Sequence, residues 1–189
     1  ARMRLSVSSG VALRSVLATS ASAETIPWKN GAVDVSAQAP ADKLGGLDNA
    51  RFGADRHVVV QFSGPVGERS KTEFAASGLQ ILNYVGGNAY FAAVDGPTDA
   101  NLLSSRAEIA AVVPIQPEWK IHRDYLAGQT PSWSIVSNIA ADNPIVAAYV
   151  LFHADVPADQ MGAQIAAKYG ATVRSNLYSV NGLVVEMPR

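Results

Sequence analysis

One pattern occurs twice in this chain, over residues 56–95 and again over 146–187, and no other feature restricts the fold as much. In the first copy His57-Val58-Val59-Val60-Gln61-Phe62 is rich in residues suited to a pleated, half-buried surface and predicts a strand. Ser63-Gly64-Pro65 ends it. Glu68 to Ser77 predicts a short helix anchored by Phe74, and Gly78 follows where a helix end needs φ > 0. Leu79–Val85 and Asn88–Val94, joined by Gly86-Gly87, predict a hairpin. The second copy repeats this order. Val146–Phe152 is an apolar strand, and Ala158–Tyr169 a helix with Met161, Ile165 and Tyr169 one turn apart. Gly170 ends the helix, and Ala171–Tyr178 and Gly182–Met187 turn at Asn181-Gly182. Phe62 and Phe152 are 90 residues apart, Gly78 and Gly170 are 92, and Asn88 and Asn181 are 93. Two copies make a duplicated module, since a solenoid needs three or more.

After the first hairpin, Pro97–Arg106 predicts a helix capped by Thr98 or Asp99, with Leu102 and Leu103 facing the core. Ile109–Ile121 follows, and its Pro114 and Pro117 place it as an edge strand or extended tail. The first copy is therefore a complete βαββαβ unit. The fold class is α+β: two related ferredoxin-like modules, each an antiparallel sheet with helices on one face, the second incomplete. The chain divides into a leader over 1–55, a first module over 56–121, a linker over 122–145 and a truncated βαββ module over 146–189. The leader reads either as extended and draped on the first module, with Trp28 as its anchor, or as a flexible linker, which its composition fits equally well. The linker is too apolar to hang free.

The second module lacks its last helix and strand, which leaves the edge of Val146–Phe152 unpaired. That predicts a cap, supplied by the leader between Arg2 and Val35, by the linker around Ile135, or by another chain. The alternation of Leu5 and Val7 with polar residues makes the leader the first choice. The missing strand also predicts that the chain is one piece of a longer polypeptide.

At 189 residues the chain has room for two small domains. A net charge of −1 gives no footprint for nucleic acid or an anionic membrane. The absence of cysteine excludes disulfides and thiolate chemistry. No apolar run is long enough to span a membrane. Met3–Ala23 combines a basic start, small residues and a final Ala21-Ser22-Ala23, the pattern of a residual export signal, although Arg14 interrupts it.

The residues Val60, Gln61, Phe62, Gly64, Pro65, Val66, Gly78, Tyr84, Asn88, Ala89, Tyr90, Ala110, Val113 and Pro114 form a pattern of their own. It resembles the N-terminal propeptides (inhibitor I9-like pro-regions) of secreted subtilisin-like serine proteases. The second copy matches more weakly through Phe152, Val156, Gly170, Asn181 and Gly182, and together the copies cover about two thirds of the chain. The resemblance implies a non-catalytic pro-region, secreted or periplasmic. Such a chain binds, inhibits and helps to fold a subtilisin-like protease, in cis or in trans. The partner-binding candidates are Tyr84, Tyr90, Trp119, Val150 and Phe152. The departure from the family is that no catalytic domain is recognisable. The alternative is a structural or protein-interaction module of a larger exported protein.

Chemistry has little purchase in the sequence. Ser8-Ser9-Gly10 and Ser77-Gly78 lack the strand-turn-helix setting of a nucleophile elbow, so no catalytic residue is assigned. Asp95, Asp99 and Glu108 are dispersed and match no metal-binding spacing, and no cofactor is expected. Gly86-Gly87 leads into a strand and lacks the Lys of a phosphate loop. Glu68, Arg69 and Lys71 read as a solvated face. His57 and His153 occupy comparable places in the two copies. Each is either a pH-sensitive group or an ordinary strand-end residue. Trp28, Trp119 and Trp133 lie outside the module strands, as interface anchors or as pins for the leader and linker.

Overall fold

The computed structural model describes residues 25–35, 44–52, 56–96, 98–137 and 143–189. The apolar runs become strands where alternate residues bury. In β3 (His57–Phe62), Val58, Val60 and Phe62 face one side and Val59 faces the other. It pairs antiparallel with β5 (Ala89–Val94) and with β6 (Ile109–Pro114). β4 (Leu79–Gly86) pairs with β5, so the sheet order is β4-β5-β3-β6, the split βαβ order. The helices lie on one face. They are α1 (Gly45–Phe52), α2 (Glu68–Ala76) and α3 (Ala100–Ser104). Phe74 of α2, Leu103 of α3, and Leu44, Leu47 and Ala50 at α1 share one core with Val58, Val60, Val112 and Leu79.

The short helix starts at Asp99, whose Oδ1 accepts from the Leu102 amide at 3.0 Å. Leu103 is buried, but Leu102 is exposed, because a helix of five residues offers only one stripe to the core. The expected extended run to Ile121 also stops early. β6 ends at Pro114, and Pro117 opens a helical turn, α4 (Pro117–Lys120). At a first helical position proline's fixed φ is already helical and its missing N–H costs nothing.

The leader contributes more than a drape. Ile26–Trp28 (β1) and Gly31–Val33 (β2) form a hairpin on the sheet face opposite the helices. Ile26, Val35 and Trp28 pack there against Val59, Ala89, Ala111, Val113 and Trp119. α1 closes on β6 from the helix side. A Cβ added at Gly46 would lie 2.7 Å from the Val112 carbonyl oxygen, so only glycine permits that approach.

The second module follows the first. β8 (Ile145–Leu151), α6 (Ala158–Tyr169), β9 (Thr172–Leu177) and β10 (Gly182–Pro188) repeat the strand-helix-hairpin order. With β7 (Ile135–Ser137) at its edge, the order β7-β8-β10-β9 parallels that of the first sheet. The repeat extends to single bonds. The Phe62 amide donates to the Asn88 carbonyl at 3.0 Å, and the Phe152 amide to the Asn181 carbonyl at 3.0 Å. Both asparagines are left-handed, with φ of 54° and 48°. The edge cap is the linker. After a short helix, α5 (Arg123–Leu126), the strand β7 (Ile135–Ser137) pairs with Val146 and Ile145. The leader residues 25–35 sit on the other module, and residues 1–24 lie outside the described residues.

Glu73 of α2 pairs with Arg106 at 3.1 Å and with Arg69 at 3.2 Å. Arg106 and Arg69 beside it hold its carboxyl below the usual carboxylate range. A carboxyl lowered by folding adds stability above its unfolded value, and that stability is lost as pH falls through the folded value. Glu73→Gln should therefore give a small drop in melting temperature at pH 7, and the difference from the parent should vanish in acid. Thermal unfolding at several pH values checks this.

Candidate functional site

Two places in the molecule gather unusual residues: the junction between the modules and the outer face of the second sheet. At the junction, the loop between β8 and α6 reaches the first module. Asn181 holds that loop in shape. Its Nδ2 donates to the carbonyls of His153 at 2.9 Å and Val156 at 2.8 Å, and its Oδ1 accepts from the Ala158 amide at 3.1 Å. The fixed loop stacks the His153 ring on that of His57, with centroids 4.1 Å apart and planes at 21°. It also places the Asp155 carboxylate oxygens 3.0 and 3.1 Å from His57 Nε2. Arg56 donates to Asp155 through Nη2 and to Asp95 through Nη1, the latter at 3.2 Å. The Asp155 side chain is only 6 % exposed. A carboxylate so covered is sustained by the Arg56 guanidinium that donates to it.

The junction continues a line of rings across the first module's outer face. Trp119 stacks on Trp28 at 5.1 Å, Trp28 lies 5.7 Å from Phe91, and Phe91 meets His153 edge-on at 4.7 Å. That face is thus filled by the leader hairpin, by α4 and by the second module. The matching face of the second sheet is not filled in this way. On the side away from α6, Tyr149 is 74 % exposed and Leu151 63 %, and Val136 of β7 is also exposed. Tyr149 lies opposite Val184 and Leu151 opposite Gly182 on β10. An ion pair between Arg174 and Glu186 borders them, and the nearby Glu186 carboxylate raises the Arg174 value further.

The five predicted partner-binding residues fall in three places: Tyr84 with Tyr90, Trp119 alone, and Val150 with Phe152. Tyr84 is exposed, with its ring 5.1 Å from that of Tyr90. Tyr90 is half-buried against the helix-side core and lies 5.9 Å from Phe62. Trp119 is on the opposite face, against Trp28. Val150 and Phe152 face α6 and pack with Leu183 and Val185. Trp133 is 68 % exposed, beside His122. Tyr149 and Leu151 escaped the sequence reading because β8 is apolar at nearly every position. Periodicity then cannot tell the core side from the outer side. Asp155 carried no sequence signal at all, since its partners lie about a hundred positions away.

The acidic residues considered for metal binding are spread: Asp95 pairs with Arg56, Asp99 caps α3, and Glu108 lies 4.0 Å from Arg106. Among the described residues, no group of three or more His, Cys, Asp or Glu could hold a metal ion. Among them too, no helix is long and apolar enough to cross a membrane. β4 runs through Gly86, at φ 101° against Pro27, so the turn expected at Gly86-Gly87 falls one residue later, on Gly87 and Asn88, both left-handed at φ 55° and 54°. Gln61 Nε2 donates to the Gly87 carbonyl at 3.1 Å, which gives that buried glutamine a structural task. A shallow groove between α6 and β9, lined by Asp159, Gly162, Ala163, Ala166, Val173 and Asn176, holds no comparable cluster.

Residues 27–116 match a family described as a domain of unknown function, DUF8729. The match runs from β1 through β6, so it takes in the leader hairpin and α1 together with the first module. No curated protein and no solved structure matches the chain.

Proposed function

We propose that this chain is a non-catalytic pro-region, secreted or periplasmic, that binds and restrains a subtilisin-like serine protease. The docking surface is the outer face of the second sheet. The observation that carries this reading is the contrast between the two modules. The outer face of the first is covered by its own chain, while the second leaves Tyr149, Leu151 and Val136 exposed on the equivalent face. Exposed tyrosine and aliphatic side chains on a rigid sheet lose little freedom on binding, so they suit a protein partner. Beyond the two residues paired with β7, no strand among the described residues pairs with the outer edge of β8, which suits an added strand. The propeptide-like residues around Gln61, Asn88 and Pro114 support the choice of partner.

The test is inhibition of purified subtilisin-like proteases by the full chain, with binding followed by calorimetry. Tyr149→Ala and Leu151→Ala should each weaken inhibition roughly tenfold or more, while Tyr84→Ala should have little effect. A chain that binds none of the proteases sinks the reading. Binding without inhibition would favour the structural interaction module.

A further inference from the structure

In an antiparallel ladder, successive residues turn their backbone N–H and C=O groups to opposite sides. At the two ends of β8 the Phe152 amide donates to the Asn181 carbonyl and the Arg189 amide to the Pro144 carbonyl. The even-numbered residues between them therefore face β10 with their backbone groups. Ala147, Tyr149 and Leu151 turn theirs to the outer edge. The first module shows what such an edge takes. Phe62 bonds to Asn88 as Phe152 does to Asn181. The counterparts of Tyr149 and Leu151 are then Val59 and Gln61, which meet Val113 and Ala111 of β6 and are fully buried. β7 does not repeat this pairing. It meets only Ile145 and Val146, and Tyr149 and Leu151 remain exposed.

Edge strands are ordinarily guarded by a charge, a proline or a bulge. β9, the opposite edge of the same sheet, carries Arg174 and a register shift at Val184 and Val185. β4, an edge of the first sheet, has two register shifts. Ile145–Leu151 has no charge, proline or glycine, and its ladder with β10 runs without a shift.

We infer that this unguarded edge joins two copies of the chain, β8 against β8, antiparallel about a two-fold axis at Val150. In that register Tyr149 lies opposite Leu151 of the partner subunit, and each such pair exchanges both N–H···O bonds. The pairing uses both exposed residues and stops short of β7. It joins the two four-stranded sheets into one continuous sheet. A second copy suits the edge because the edge complements itself: it is uncharged, and the two-fold sets an aromatic side chain beside an aliphatic one twice over. Each copy thereby covers the large apolar side chains that the other leaves in water. The paired stretch is short, so the association is weak and reversible. It does not rest on the protease reading, and the two uses of this face exclude each other.

Sedimentation equilibrium of the full chain from about 1 μM to about 1 mM spans weak association. The apparent mass should rise from 19.8 kDa toward twice that value. The double variant Tyr149→Lys, Leu151→Lys sets like charges across the pairing and should stay monomeric throughout. A single cysteine locates the contact, since the chain has none of its own. On the axis Val150 meets itself as a non-hydrogen-bonded pair, with Cα atoms about 4.5 Å apart, within disulfide range. Val150→Cys should cross-link chain to chain roughly tenfold faster or more than Ser175→Cys on the guarded edge, because pairing raises its effective concentration. Should Val150→Cys fail to fold, hydrogen exchange of the wild type decides. The Tyr149 and Leu151 amides should slow about tenfold between the dilute and the concentrated sample, and the Phe152 amide should not change. A mass fixed at 19.8 kDa, a double-lysine chain that associates as wild type does, equal cross-linking at the two cysteines, or unchanged exchange at Tyr149 and Leu151 each overturns the pairing. No protease is present in these measurements, so loss of the dimer and loss of protease binding are read separately.

Discussion

Replacing Phe74 with alanine should lower stability by about 3–5 kcal/mol, the range for removing a buried phenylalanine from a packed core. Phe74 is the buried residue of α2, 1 % exposed, with its ring 5.3 Å from that of Phe62. Arg106 lies over its other side, 5.6 Å from the ring centre. Nothing nearby can fold into the space. The strands beneath are fixed by their ladders, and Arg106 is tied to Glu73. The melting temperature of the first module should fall by about 20 °C, given a slope of roughly 4–8 °C per kcal/mol for a unit of 60–100 residues. Phe74→Leu keeps most of the volume and should cost about 1.5 kcal/mol or less. Thermal and denaturant unfolding of the three proteins check this. Equal losses for both variants would mean that the cavity is not the cause.

Asn181→Ala should remove about 3 kcal/mol from the second module, by two separable routes. Three hydrogen bonds are lost: the Val156 carbonyl and the Ala158 amide lose the Asn181 side chain, while the His153 carbonyl keeps the Val156 amide at 3.0 Å. Leaving such groups unmade costs about 1–3 kcal/mol. Alanine must also adopt φ 48°, which carries a steric cost of roughly 1–2 kcal/mol that asparagine largely escapes and glycine does not pay. Asn181→Gly should therefore be less damaging than Asn181→Ala by about 1 kcal/mol, yet still well below the parent. Because Asn181 fixes the loop that carries His153 and Asp155, both variants should also loosen the junction. Denaturant titrations give the energies, and hydrogen exchange at Val156 and Ala158 locates them. Identical stabilities for the alanine and glycine variants would remove the backbone part of the argument.

Much of the fold is legible in residues taken one at a time. Gly78 and Gly170 end their helices at φ 83° and 62°. Asn88 and Asn181 turn their hairpins in matching conformations, and α6 begins and ends where its sequence pattern does. α1 was not legible. Gly45-Gly46-Leu47-Asp48-Asn49 is a poor helix former by propensity. It is helical in the fold, where Leu44, Leu47 and Ala50 enter the core and Gly46 lets the backbone meet β6. The candidate site was legible only in its pieces. His57 and His153 stood out as residue types, but nothing local told that their rings meet or that Asp155 joins them.

The sequence by itself determined the two strand-helix-hairpin units, because turn residues and core anchors act over a few positions and recur in both copies. Which segment completes the second sheet was decided by tertiary structure. The leader around Val7 and the linker around Ile135 both present short apolar alternation, so pattern cannot choose between them. Chain closure favours the nearer one. Ser137 and Ile145 are eight positions apart, whereas Val7 and Val146 are 139. Each doubling of a loop adds about 0.6 kcal/mol, so the distant pairing starts roughly 2–3 kcal/mol behind. The leader's apolar residues then find the outer face of the first sheet, where Ile26 and Val35 are fully buried. That choice covers one module's face with its own chain and leaves Tyr149 and Leu151 exposed on the other, because burial is settled by what each surface meets in space.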